Sequence, residues 1–124
     1  MSLHVLLAED DPDIRLVVRL ALKKAGFRVT VTENGRELLK RIAEERPDVV
    51  LLDWMMPEMD GAETCRRLKA DPATRDIPVV FMTAKSQGFE KNHGEAVGAS
   101  GYILKPFDAL TLGDQLKAIL ERVS

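Results

Sequence analysis

A single cysteine, Cys65, rules out an internal disulfide. No apolar run approaches the ~18 residues needed to span a bilayer; the longest mostly apolar stretches are Val49 to Leu52 and Ile77 to Met82. The start, Met1-Ser2-Leu3-His4, lacks the charged and long apolar regions of a secretory signal. A soluble protein in a reducing cytoplasm fits these absences. An excess of one charge is missing too: 18 basic against 20 acidic residues leave −2, without the footprint of a dedicated nucleic-acid or anionic-membrane binder. With only 8 Gly and 6 Pro, and no repeat, low-complexity tract or linker, nothing points to disorder or a domain boundary.

What is there is ordinary globular material, 45% apolar and 31% charged over 124 residues. The length is under the roughly 150 residues usual for one domain, so residues 1–124 are expected to form one. Five short apolar runs alternate with helical patterns, which predicts βαβ units and a parallel sheet. The runs are Leu3 to Ala8, Phe27 to Thr32, Val49 to Leu52, Val79 to Met82 and Tyr102 to Leu104, each suited to a strand buried on both faces. Pro78 can only open its strand, having no ladder donor.

The first helix is read from Ile14, Val17, Val18, Ala21 and Leu22 at three and four residue spacing, with Arg15, Arg19, Lys23 and Lys24 opposite and Gly26 closing it. A second, about Gly35 to Glu45, buries Leu38, Leu39 and Ile42 and stops before Pro47. A third, about Gly61 to Lys69, offers Ala62, Cys65 and Leu68, which makes Cys65 a small core residue. A fourth helical segment, about Phe89 to Val97, carries Gly94 and is the softest element. The last, about Asp108 to Val123, takes Asp108 as N-cap and points Leu112, Leu116, Ile119, Leu120 and Val123 inward.

In an open parallel sheet, ligands bind beyond the carboxyl ends of the strands. Those ends are polar here: Glu9-Asp10-Asp11 after strand one, Asp53 after strand three, Thr83 after strand four, Lys105-Pro106 after strand five. Acids converging on one crevice repel one another unless a cation compensates. Mg²⁺ suits them, taking oxygen ligands from one or two carboxylates while keeping waters. His4 and His93 have no metal-ligand spacing and are read as surface or strand-end residues. Singly, each acid has a plainer reading: Asp10 or Asp11 ahead of Pro12 is also a helix cap, and Asp53 is also a strand end.

The combination resembles the receiver domain of two-component response regulators, in its single-domain, chemotaxis-regulator-like form. The matching stretches are Val5 to Asp13 with Glu9-Asp10-Asp11, Asp53-Trp-Met-Met-Pro57-Glu-Met-Asp60-Gly61, Pro78 to Ala84 with Thr83, and Gly98 to Phe107 with Lys105-Pro106. Together they cover essentially the whole chain. The resemblance implies a flavodoxin-like α/β fold, a five-stranded parallel sheet in the order 2-1-3-4-5 with helices on both faces. It implies that Asp53 accepts a phosphoryl group from a histidine kinase or phosphotransfer protein. Asp10, Asp53 and the Met55 backbone carbonyl would hold Mg²⁺, or Mn²⁺ as the alternative, with Glu9 acting through water. Asp11 falls on a solvent-facing position and is read as a helix-start residue.

On the same ground Lys105 pairs with Asp53 at rest and with a phosphoryl oxygen afterwards, and Thr83 donates to another. Lys105-Pro106 would be a cis peptide. Thr83 and Tyr102 would form the switch, although a strand aromatic packing over the last helix reads the same. The readout surface would be the fourth helical segment, fifth strand and last helix, with Lys85, Glu90, Lys91 and Gln115 as exposed candidates. It would contact a downstream effector or a fused output domain, and the face is a common homodimer surface in the resembled family. A chain ending at Ser124 fits either a free-standing receiver or part of a longer regulator.

Three rivals fit less well. A phosphatase of the haloacid dehalogenase type needs a second Asp two residues past the nucleophile, where this chain has Met55. A flavodoxin-like cofactor module needs a phosphate-cradling loop after strand one, where Glu9-Asp10-Asp11 repels phosphate. An interaction-only pseudo-receiver normally lacks a site residue. The expectation is a signalling module that promotes its own phosphorylation and dephosphorylation, not a turnover enzyme.

Overall fold

The computed structural model describes residues 2–54, 59–83, 98–105 and 108–123. The Met55 carbonyl, Pro106 and its peptide bond, the 89–97 segment, and Lys85, Glu90, Lys91 and His93 lie outside the described residues. Five parallel strands stand in the order β2-β1-β3-β4-β5: β1 (His4–Ala8), β2 (Arg28–Thr32), β3 (Val49–Asp53), β4 (Val79–Thr83) and β5 (Gly101–Leu104). Helices α1 (Pro12–Lys24), α2 (Gly35–Glu44), α3 (Gly61–Ala70) and a C-terminal helix (Leu112–Val123) complete the described elements. None is long and apolar enough to cross a membrane.

Side chains alternate across a strand, and here that alternation makes two cores. Val5, Leu7, Val49, Leu51, Val80, Met82 and Ile103 face α1 and the C-terminal helix. Leu6, Ala8, Val50, Leu52, Val79 and Phe81 face α2 and α3. The central strands β1, β3 and β4 are buried throughout, whereas β2 and β5 are partly exposed, contrary to the expectation of burial on both faces. They are the sheet's two edges, with a neighbouring strand on one side only.

Helix ends follow local chemistry. Asp11 caps α1, accepting from the Asp13 and Ile14 N–H groups, with Pro12 at the first turn. At the other end Gly26 takes φ 99°. Its N–H donates to Lys23 O and that of Phe27 to Leu22 O, the paired bonds of a Schellman motif, while the Leu22 and Phe27 side chains join one core. Within α1, Val18 and Leu22 are buried but Val17 is exposed, because the buried stripe is narrower than the apolar pattern.

One further expectation needs correction. Asp108 does not cap the C-terminal helix: its carboxylate accepts from Leu110 N–H in a preceding turn, and the helix begins at Leu112. His4 is a strand-end residue but not a surface one. It is buried, with Nε2 at 2.8 Å from Thr30 Oγ1 and 3.1 Å from Glu45 Oε1. Cys65 is buried as expected, and burial pushes its thiol up to about 11.

Gly113, inside the C-terminal helix, has a packing role. A Cβ there would stand 2.3 Å from Ala25 Cβ, so the glycine lets the C-terminal helix close on the end of α1. Gly113→Ala should therefore destabilise the protein by about 2 kcal/mol through overpacking, although helix propensity alone predicts about 1 kcal/mol of gain. Urea unfolding of the single variant and of Gly113→Ala with Ala25→Gly checks this; the second change should recover much of the loss.

Candidate functional site

Chain direction and strand parity build the site. Glu9 continues the alternation of Val5 and Leu7, Asp53 that of Val49 and Leu51, and Lys105 that of Ile103, so all three belong to the α1 side of the sheet. Thr32 anchors the first of them: its Oγ1 donates to Leu7 O at 2.7 Å, and its carbonyl accepts from Glu9 N–H at 3.2 Å. Asp53 is the last residue of β3 and Thr83 the last of β4. Lys105 follows β5 directly, its N–H donating to Thr83 O at 2.7 Å.

The ammonium of Lys105 joins the cluster. Nζ lies 2.9 Å from Glu9 Oε1 and 3.1 Å from Asp53 Oδ1. Glu9 is 1% exposed and Asp53 6%, so both carboxylates are withdrawn from water. Asp10 is exposed at the rim, and one carboxylate oxygen from each of Glu9, Asp10 and Asp53 falls within 4.8 Å of the others. The Asp11 N–H donates to Glu9 Oε2 at 3.1 Å.

Burial, reinforced by the Asp53 charge, pushes Glu9 up to about 7 against the opposing pull of Lys105 and the Asp11 N–H. Burial also raises Asp53, with the Lys105 charge opposing it. For Lys105, burial alone would lower the value, but Glu9 and Asp53 outweigh it and the ammonium is held more firmly. Three carboxylates facing one ammonium leave an excess of negative charge in a partly dry crevice. Clustered hard oxygens of this kind suit a small divalent cation.

Of the residues expected at the site, Glu9, Asp10, Asp53 and Lys105 are brought together, and Thr83 ends the strand next to Asp53. Tyr102 lies on β5 opposite Phe81 in the register, with Thr83 opposite Leu104, so Tyr102 and Thr83 share a sheet face. Trp54 takes the opposite face from Asp53, its ring edge-on to Phe81 with centroids 4.8 Å apart. Gly61 closes that side: a Cβ would stand 2.6 Å from the Asp53 carbonyl oxygen, and its N–H donates to Trp54 O at 3.2 Å.

Arg15 is the residue that sequence reasoning placed elsewhere. Counted among the solvent-facing cations of α1, it instead turns back onto the acidic loop, Nη1 donating to Glu9 O at 2.9 Å. Its place one turn beyond the Asp11 cap was the only signal, since a side chain there can reach back over the loop.

The raised Glu9 value sets a pH dependence. The folded chain holds that proton more tightly than the unfolded one, so the stabilisation is complete below the ordinary value of 4.5 and is lost as pH rises through about 7. Metal-free wild type should therefore lose stability relative to Glu9→Gln between pH 5 and pH 8, as followed by thermal melts of both. Glu45, lowered chiefly by its hydrogen bond from Arg41, works in the opposite direction and is common to both proteins. A divalent ion competing for the same carboxylates should raise Tm more at pH 8 than at pH 6.

The family model of the response regulator receiver domain matches residues 5–117. The phosphate regulon transcriptional regulatory protein PhoB of Pseudomonas aeruginosa is 42% identical over 118 residues, covering 95% of this chain and 52% of the relative. The transcriptional regulatory protein CseB of Streptomyces coelicolor is 40% identical over 119 residues, covering 96% and 50%. The chain thus spans about half the length of these relatives. The chemotaxis response regulator CheY4 of Vibrio cholerae superposes with a TM-score of 0.91 at 32% identity, over 96% of this chain and 99% of that one. The receiver domain of a signal transduction histidine kinase from Syntrophus aciditrophicus gives 0.87 at 32% identity, over 99% and 93%. Family match, sheet order and acidic crevice agree: the chain belongs to the receiver domains of two-component response regulators, which are signalling domains and not turnover enzymes.

Proposed function

We propose that residues 1–124 form one phosphoacceptor module, in which Asp53 takes a phosphoryl group from a histidine kinase or phosphotransfer protein in the cytoplasm. The observation that carries this reading is the Lys105 ammonium held between the buried Glu9 and Asp53 carboxylates, with Asp10 at the rim. Three hard oxygen donors within 4.8 Å, with excess negative charge, fit Mg²⁺, or Mn²⁺ as the alternative. Asp10 and Asp53 would hold the ion directly together with the Met55 carbonyl, and Glu9 through water. When bound, Mg²⁺ supplies positive charge that offsets the repulsion between a carboxylate and incoming phosphoryl oxygens.

The chain's own residues do the rest. An Asp53 carboxylate oxygen attacks phosphorus; the bond from phosphorus to the donor imidazole nitrogen breaks, and its electron pair leaves with that nitrogen. Asp53 becomes an acyl phosphate. Lys105, a flexible point charge, pairs with Asp53 before transfer and with a phosphoryl oxygen after it. The Thr83 hydroxyl donates to a second oxygen. Little covalent chemistry is asked of the protein beyond positioning and charge compensation, and the same groups promote the module's own phosphorylation and later dephosphorylation.

The shared face of Thr83 and Tyr102 supports their reading as a switch. As Thr83 moves toward the phosphoryl group, the Tyr102 ring, exposed at rest, turns inward behind it. Phosphorylation shifts the population between the two arrangements by adding charge that only one can pair well. The readout surface is then the 89–97 segment, β5 and the C-terminal helix. It meets a fused output half, as the longer transcriptional regulators suggest, or a separate effector, as the chemotaxis regulator suggests, with a second copy of the chain as a further partner.

Trp54 reports on the reaction. Mg²⁺ should change its fluorescence, and a small phosphodonor should change it again with formation of an acid-stable, base-labile phosphate that peptide mass spectrometry places on Asp53. Asp53→Asn should abolish the second change. Label on any other residue, or none from either a small donor or a panel of kinases, overturns the proposal.

A further inference from the structure

Arg15 has no place among the residues that would touch the ion or the phosphoryl group, yet its side chain is only 19% exposed and is committed to the loop that carries them. Nη1 donates to the carbonyl oxygens of Glu9 and Asp10, at 2.9 Å and 3.4 Å, and Nη2 lies 3.9 Å from Glu33 Oε1. A peptide unit is planar, so fixing its carbonyl also fixes its N–H. The unit joining Asp10 to Asp11 has its carbonyl on Arg15 at one end and its N–H on Glu9 Oε2, at 3.1 Å, at the other. The remaining Glu9 oxygen, Oε1, accepts from Lys105.

We propose that Arg15 is a positioning residue that orients the Glu9 carboxylate through the Asp10–Asp11 peptide, presetting the acidic loop for a divalent cation. A guanidinium suits this because one nitrogen, Nη1, serves both carbonyls while a second, Nη2, faces Glu33, an arrangement a single ammonium cannot reproduce. The Asp11 cap and Pro12 fix the start of α1 and thereby the point from which Arg15 reaches back. This inference rests on the metal-binding reading proposed above, and its sign separates it from a plain charge effect. A cation that merely stood near the site would repel a divalent ion, so neutralising it would tighten binding. A positioning residue does the reverse.

The test is Mg²⁺ titration of metal-free wild type, Arg15→Gln and Arg15→Lys, read by Trp54 fluorescence and by amide NMR, with thermal melts alongside. Arg15→Gln should raise the half-saturating Mg²⁺ concentration by about tenfold, the range found when outer partners of metal ligands are removed. Arg15→Lys, which keeps the charge and loses the second nitrogen and the planar geometry, should fall between the two and carries the comparison if the Gln variant does not fold. The Asp11 amide resonance should move in both variants before any metal is added. In a Glu9→Gln background the Arg15 substitution should lose most of its effect on Mg²⁺.

Unchanged or tighter Mg²⁺ binding in the Arg15 variants, with wild type binding normally, overturns the inference while leaving the phosphoacceptor reading intact. So does a loss of Tm with no change in affinity and no movement of the Asp11 amide. If wild type takes up no Mg²⁺, the metal-binding reading falls and the presetting role falls with it; the Asp11 amide then decides only whether Arg15 orients the peptide.

Discussion

The Lys105 ammonium wedged between Glu9 and Asp53 is the contact on which the rest of the site depends. Two carboxylates withdrawn from water at the end of a parallel sheet would not both ionise without it, because burial and mutual repulsion favour the protonated forms. A buried ion cluster of this kind is weak as a stabilising device, since desolvation offsets most of the attraction. In the function proposed above, its value lies in what it stores: an acidic nucleophile kept close to a cation that can change partners, beside two further acids that can share a metal. Fold stability comes from elsewhere, from the two apolar layers that flank the central strands.

Those layers also explain why the site stands where it does. β1 and β3 pair directly, so Ala8 and Leu52 are neighbours and the residues that follow them emerge side by side. β4 lies between β3 and β5, so the Lys105 side chain reaches across the end of β4 to Asp53, a path its four-carbon stem spans. On the far side Gly61 lets α3 begin in close contact with the backbone at Asp53. Every member of the cluster is therefore placed by a strand end, and only Asp10 and the loop behind it need a separate restraint.

Much of this was legible in the amino-acid order. Alternating apolar runs gave the strands, and the polar residues directly after them gave Glu9, Asp10, Asp53, Thr83 and Lys105, because a parallel sheet sends successive strand ends to one side. Edge exposure of β2 and β5 was missed by treating every run alike: the implied order 2-1-3-4-5 already puts both at the edges, and Arg28, Thr30 and Thr32 alternating with valines make β2 more polar than the central strands. The start of the last helix was misplaced because Asp108 has capping chemistry wherever a turn begins, and here the turn comes four residues early. Arg15 was misread for a related reason: helical periodicity says which way a Cα–Cβ bond points, not where a long side chain ends.

Strand parity has one more implication. Moving β1, β3 or β5 by a single position relative to its neighbours would send Glu9, Asp53 or Lys105 to the wrong side of the sheet and leave the other charges buried without their counter-ion. The ion cluster thus doubles as an alignment key for the hydrogen-bonded ladder. A chain that has assembled this cluster has also verified its own pairing, so misaligned molecules would lack the site proposed for phosphoryl transfer.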